Sequence, residues 1–181
     1  ATYSVAWIDC LSQGPSLGRS LVMLGEHALL GELSDKQKTA PLDAGQRRQI
    51  GVPLDLPSGL LNSLSVRAFN ALYYGRGSSK AGTSLVDWDS YFYPLDSIHN
   101  WNRIYGRRGF AQFQCALPME GSRPGLIALL ETISRAGSGS FLAVLKRFGE
   151  QDSRFSFPMP GYTLALDFPI RKQTLALMDA L

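Results

Sequence analysis

The sequence predicts an α+β domain, an antiparallel sheet with helices packed on one face and the other face lining a binding pocket. Three observations predict it. Segments with the two-residue period of strands occur in both halves of the chain, and segments of helical period interrupt them. In the second half the order is strand, helix, strand, strand, helix, with turn residues between. The 181 residues are enough for one domain, taken as 1–181, with a buried core.

Taken in order, TYSVAWID and RSLVMLGEHALL read as strands, separated by the turn residues of SQGPSLG. Residues 33–48 are polar and read as a connecting loop, followed by VPLDLP, ordered mainly by its prolines. Over 59–74 the period changes. Leu60, Leu64, Ala68 and Leu72 recur every four positions, with Leu61 and Phe69 beside them, which predicts an amphipathic helix capped by Gly75. GRGSSKAGTS, 75–84, then reads as a mobile loop. GFAQFQCALP is a strand, and RPGLIALLETISRAG is a helix with Leu126, Leu129, Leu130 and Ile133 on one face and Pro124 in its first turn. FLAVLKRFG and GYTLALDFPI are strands, and a last helix starts near Lys172. The chain opens in strand-like text without Met and closes in helical text, so a piece of a longer protein is expected.

Composition narrows function only a little. A formal charge of +3 suits an anionic small molecule or a weak nucleic-acid surface. Cys10 and Cys115 form no C-x-x-C pair, which argues against a disulfide framework and for a reducing compartment. No run of eighteen apolar residues is present to span a bilayer, and no secretory signal opens the chain. A cytoplasmic or peripherally membrane-associated location is expected.

Strand parity divides the side chains between two faces. In GFAQFQCALP, Ala111, Phe113, Cys115 and Leu117 form an apolar set, while Phe110, Gln112, Gln114 and Ala116 place two amides on the other side. In GYTLALDFPI, Tyr162, Leu164, Leu166 and Phe168 are set against Thr163, Ala165 and Asp167. In FLAVLKRFG, Lys146 lies with Leu142, Val144 and Phe148, against Phe141, Ala143, Leu145 and Arg147. A mixed face bearing Gln112, Gln114, Thr163 and Asp167, with Lys146 if the even positions of its strand face the same way, is expected opposite a dry one. Hydrogen-bonding groups on rigid strands make a recognition surface.

Several familiar motifs are missing. GSSKAGT lacks the spacing of a phosphate loop, and no G-x-S-x-G or G-x-G-x-x-G occurs. His27 and His99 stand alone, so no metal is expected. RGFAQFQC follows the start of an RNA-reading strand, but Gln and Cys replace the stacking rings, so no nucleic-acid partner is expected.

YSVAWIDC with LGRS after it, FYPLDSIHNWNRIYG, RRGFAQFQCALP, SFLAVLKRFG and FSFPMPGYTLALDFPIR together resemble one known group. They are similar to the central, substrate-binding domain of bacterial FAD-linked oxidases of the decaprenylphosphoryl-ribose oxidase group, in the vanillyl alcohol oxidase superfamily. The resemblance runs along the whole chain and is strongest over 91–118 and 140–171. It implies that an FAD-binding domain belongs to the same protein and that this sheet roofs the flavin. It further implies that a sugar hydroxyl is oxidised to a ketone by hydride transfer, the sugar being a ribofuranose linked through phosphate to a polyprenyl chain. A short-chain-dehydrogenase-type partner reductase would complete the epimerisation to arabinose, a step of cell-wall arabinan synthesis.

Site residues follow from the same resemblance. Trp7 matches an aromatic pocket wall, and Tyr93, Pro94 and Leu95 match a mobile covering segment. Gln112 and Gln114 match a pair that lines the pocket near the flavin, and Lys146 matches a lysine facing substrate. Apart from the resemblance, Arg103 of the aromatic stretch is expected to reach the site. Thr163 and Ala165 stand where mycobacterial members carry Asn and Cys, so part of the pocket is altered. The FAD-binding domain and a later segment with another active-site lysine lie outside this sequence. No catalytic residue is assigned within it, and FAD binding or activity by this piece alone is not expected. Two alternatives stay open: an aldonolactone oxidase domain, and a non-catalytic module binding an anion or nucleic acid.

Overall fold

The computed structural model describes residues 1–181 except 44, 46–49, 58, 141, 153 and 155–158. Phe141 of the parity reading and the FSFP part of the FSFPMP motif therefore lie outside the described residues. The strands are β1 (Tyr3–Ile8), β2 (Ser20–Gly25), β3 (Ile50–Gly51), β4 (Ile98–His99), β5 (Phe110–Pro118), β6 (Ala143–Phe148) and β7 (Gly161–Pro169). The helices are α1 (Asp35–Thr39), α2 (Ser63–Ser79), α3 (Trp88–Phe92), α4 (Ser122–Ala136) and α5 (Thr174–Ala180).

A five-stranded sheet has the order β2-β1-β6-β7-β5, with every neighbouring pair antiparallel. The architecture is α+β, as the sequence predicts. β1 and β2 form a hairpin, and helix α4 carries the chain from β5 to β6 with β7 inserted between them, a split arrangement of strand, helix and strand. β3 and β4 make a separate short parallel pair.

The dry face is the one parity indicates. Ile8, Ala143, Leu164, Leu166 and Phe168 are buried with Leu130 and Ile133 of α4 and Leu177 of α5. Phe113, Cys115 and Leu145 pack against them. α4 presents this stripe because its apolar residues recur at helical spacing, and Gly137, at φ 63° in the left-handed region, ends it.

Helix α2 departs from the sequence reading. Asn62 caps it, accepting from the amides of Leu64 and Ser65, and it runs through Gly75 to Ser79. Gly75 is thus helical rather than a cap, and the first half of the expected mobile loop is helix. The apolar stripe is not the buried one either: Leu64 is 76% exposed, and Leu60, Phe69 and Leu72 are also exposed. The buried side is Val66 and Asn70, continuing to Gly77, where an added Cβ would collide with Leu21. The physical reason is polar: the Asn70 amide donates to the buried Asp9 carboxylate at 2.7 Å. Tyr73 packs against Trp7 at a tilt, with ring centres 4.9 Å apart. So α4, α5 and, through Val66, the start of α2 pack into the dry-face core, while the later turns of α2 reach the opposite face at Trp7 and Leu21.

The polar stretch 33–48 contains α1, and its signal was present: Ser34 and Gln37 form a reciprocal capping box. α3 is started likewise by Asp87, whose carboxylate accepts from the Ser90 amide at 2.7 Å.

Candidate functional site on the mixed sheet face

Register builds the site. Residues paired across an antiparallel ladder project to the same face. Gln114 pairs with Ala165, Ala165 with Val144, Val144 with Trp7 and Trp7 with Leu21, forming one row across the whole sheet. Ala116, Thr163, Lys146, Val5 and Met23 form the next row. Gln112 and Asp167 lie on the other side of the first row. Gln112, Gln114, Thr163, Ala165 and Lys146 are thereby brought into one patch on three adjacent strands. The sequence left the orientation of β6 conditional; the pairing of Lys146 with Thr163 fixes it.

The patch has two levels. Gln112, Gln114 and Lys146 are exposed, whereas Thr163 and Asp167 are buried between them. Gln112 Nε2 donates to Asp167 Oδ1 at 2.9 Å, and Gln114 Nε2 approaches Thr163 Oγ1 at 3.3 Å. Both amide nitrogens are thus turned down into the sheet. Burial pushes the Asp167 carboxyl above its usual range, and the bond from Gln112 offsets part of that rise. Lys146 supplies the patch's positive charge, two strands from the Gln pair, or roughly 10 Å at the usual strand spacing.

The other expected residues lie around this patch. Trp7 belongs to its central row but is buried under Tyr73, so it packs between sheet and helix. Arg103 is engaged elsewhere: its Nη1 donates to the carbonyls of Pro53, at 2.8 Å, and Val52. Tyr93 sits on the corner where β1 begins and β2 ends. There Tyr3 meets Phe92, with ring centres 5.0 Å apart, and Trp88 meets Tyr93 edge-on. Leu95 is half-buried in a tight turn, Pro94–Ser97.

The far end of this aromatic stretch is anchored on the opposite edge strand. Trp101 and Tyr105 pack on Phe110 of β5, at 5.2 and 4.8 Å between ring centres. The segment from 91 to 105 therefore has its two ends at different corners of the sheet. Tyr105 is buried, and burial together with the Asp167 carboxylate pushes its hydroxyl well above the ordinary phenol range. Tyr105 was not singled out from sequence. The available signal was its four-residue spacing from Trp101, which puts both rings on one side of a helical turn.

Among the described residues, no cluster of three or more His, Cys, Asp or Glu is arranged for a metal, and no helix is long and apolar enough to cross a membrane. Cys10 and Cys115 are free. Cys10 is sealed behind the sheet, donates to the Ser140 carbonyl, and is pushed up to about 12 by burial.

Two known proteins are similar to this chain. The chain is 35% identical over 171 residues to decaprenylphosphoryl-beta-D-ribose oxidase of Mycolicibacterium smegmatis, a match covering 94% of the chain and 37% of the relative. The chain is similar to that oxidase over nearly all its length. It is also 31% identical over 192 residues to an uncharacterized protein in the mprA 5' region of Streptomyces coelicolor, covering 99% of the chain and 50% of that protein. The chain thus spans half or less of the length of these two relatives. No family model matches it. The motif resemblance on which the sequence reading rests is borne out by the first of these matches.

Proposed function

We propose that this chain is the substrate-binding domain of an FAD-dependent oxidoreductase that oxidises a sugar hydroxyl, with a polyprenylphosphoryl ribose as the substrate class. The observation that carries the reading is the register, which gathers Gln112, Gln114, Thr163, Ala165 and Lys146 onto one face of the sheet. Similarity to decaprenylphosphoryl-beta-D-ribose oxidase supplies the substrate class.

The residues suit this role. The outward carbonyl oxygens of Gln112 and Gln114 accept from hydroxyls of the sugar or an N–H at the flavin edge. Lys146 attracts an anionic oxygen, such as the phosphodiester. The flavin, bound mainly by the rest of the protein, supplies the hydride acceptor. This domain binds and orients the sugar. Trp88, Phe92 and Tyr93 leave exposed rings at the corner of the same sheet, a surface suited to the first units of a prenyl chain. A lipid-linked substrate would bring the protein to a membrane surface, and the oxidised product would pass to a separate reductase.

In the full-length protein, Lys146→Ala is expected to weaken substrate binding or slow flavin reduction by about tenfold, the usual effect of removing a hydrogen bond to a charged group. Anaerobic titration followed by stopped-flow flavin reduction checks it. If neither changes, Lys146 has no part in recognition. Flavin reduction by gulono- or arabinono-lactone, with none by a prenylphosphoryl ribose, would instead identify an aldonolactone oxidase.

A further inference from the structure

We infer that Asp167 is a positioning residue: it holds the Gln112 amide with its nitrogen inward, so that Gln112 and Gln114 together present two acceptors and recognise paired hydroxyl donors. The inference deepens the functional reading above and rests on it for the identity of the ligand.

The argument starts from the inventory of hydrogen-bonding atoms. A carboxamide has one accepting oxygen and one donating nitrogen, so fixing either end fixes the other. Asp167 is 1% exposed, and its Oδ1 accepts from Gln112 Nε2. In its ionised form Asp167 has no proton to give, so the opposite orientation would then set two oxygens against each other. Gln114 also turns its Nε2 inward, to the buried Thr163 hydroxyl at 3.3 Å, but a hydroxyl can meet either end of an amide, so the carboxylate fixes Gln112 alone. Among the described residues neither Gln oxygen accepts a bond, and both side chains are exposed. Two residues apart on one strand, the acceptors rise roughly 7 Å from each other. This polarity suits hydroxyls and rejects groups that can only accept.

Asp167 has little else to do in the fold. Among the described residues its Oδ2 is buried with no hydrogen-bond partner. Its surroundings are Gln112 from β5 and Tyr105 from the turn above; the Ser140 hydroxyl takes the Asp167 amide rather than its carboxylate. No cation faces it in these contacts. A buried carboxylate with one neutral partner is a poor stabilising device, which is the signature of a group retained for orientation. Burial also raises its pKa, so replacement by the neutral isostere Asn removes a costly charge and should leave the protein folded.

The test uses the full-length protein with nitrogen-labelled glutamine side chains, as wild type, Asp167→Asn and Gln112→Leu. Gln112→Leu identifies the Gln112 amide resonances. In wild type one Gln112 amide proton should be displaced downfield and protected from exchange. Asp167→Asn, whose neutral oxygen accepts more weakly and whose amide no longer forces one orientation, should reduce that displacement and protection and leave Gln114 unchanged. Identical Gln112 resonances in both proteins would overturn the assignment. Binding is then measured by flavin spectral titration with a short-chain prenylphosphoryl ribofuranose and its deoxyfluoro analogues, which keep an acceptor and lose the donor. Wild type should prefer the hydroxyl by about tenfold at one position, and both variants by about twofold or less. Undiminished preference in the variants would overturn the inference; should Asp167→Asn misfold, wild-type Gln112 amide protons that are neither displaced nor protected would overturn it. If no ribosyl compound binds, the functional reading fails, while the resonances still decide whether Asp167 sets the Gln112 amide.

Discussion

Asp9→Asn is expected to destabilise the protein by about 3 kcal/mol at neutral pH. Asp9 follows directly on β1 and is buried. Its carboxylate is bonded by Arg19 at 2.5 Å, by Ser12 at 2.8 Å, by Asn70 at 2.7 Å and by the Leu11 amide at 3.1 Å. Burial pushes its pKa up, but the bonds from Arg19, Ser12, Asn70 and Leu11 together outweigh burial and hold the carboxyl below its ordinary value. These contacts tie the β1–β2 hairpin to α2, so the variant should loosen the helix that covers Trp7. Arg19 keeps some access to water, which places the cost at the lower end of what breaking a buried pair entails. The pH dependence has a definite sign. A depressed folded-state pKa gives stability that is present above the unfolded value, 3.8, and is lost as pH falls through the lower folded value. Urea unfolding of wild type and Asp9→Asn should therefore differ most near neutrality and converge in strong acid. A gap that stays constant with pH would mean that shape, not charge, is what Asp9 contributes.

Phe168→Ala should cost about 3–5 kcal/mol. The ring is fully buried at the C-terminal end of β7, within the cluster of Leu164, Leu166, Ile133 and Leu177. Its removal leaves a cavity that the sheet cannot readily close, because β7 is held to β5 at Phe168 and to β6 from Leu166 back to Gly161. Leu64→Ser provides the contrast. Leu64 belongs to the apolar stripe of α2 but projects outward, so its replacement should change the stability of this chain by no more than about 0.5 kcal/mol. Equal losses at the two positions would mean that α2 packs through the stripe that its periodicity suggests.

The contrast between β7 and α2 also shows what the sequence could and could not reveal. In β5 and β7 one side is uninterrupted apolar text and the other is polar, so parity alone places Gln112, Gln114, Thr163 and Asp167 on one face and Leu164, Leu166 and Phe168 on the other. In α2 the buried side is defined by Asn70 meeting a carboxylate and by Gly77 making room for Leu21. Hydrophobic periodicity registers neither a buried amide nor a missing side chain, so it selected the exposed leucines. The aromatic stretch 91–105 was legible as unusual, but not as a segment with ends at two corners, because its partners Tyr3 and Phe110 are distant in sequence. Arg103 carried the right chemistry for a site and is instead taken up by the carbonyls of Val52 and Pro53. The fine arrangement under the Gln pair was hidden for a related reason: the one-residue spacing of two glutamines does not say which end of each amide faces out.

The central claim is that the exposed amides of β5 orient a sugar for oxidation by a flavin. Single-turnover flavin reduction under anaerobic conditions tests it, using the full-length protein and a short-chain prenylphosphoryl ribofuranose. Wild-type flavin should be reduced once per active site, and the Gln112→Ala, Gln114→Ala double variant should be slower by about tenfold or more. Reduction at the wild-type rate by the double variant, or wild-type protein that carries flavin but is not reduced by this sugar, would contradict the account.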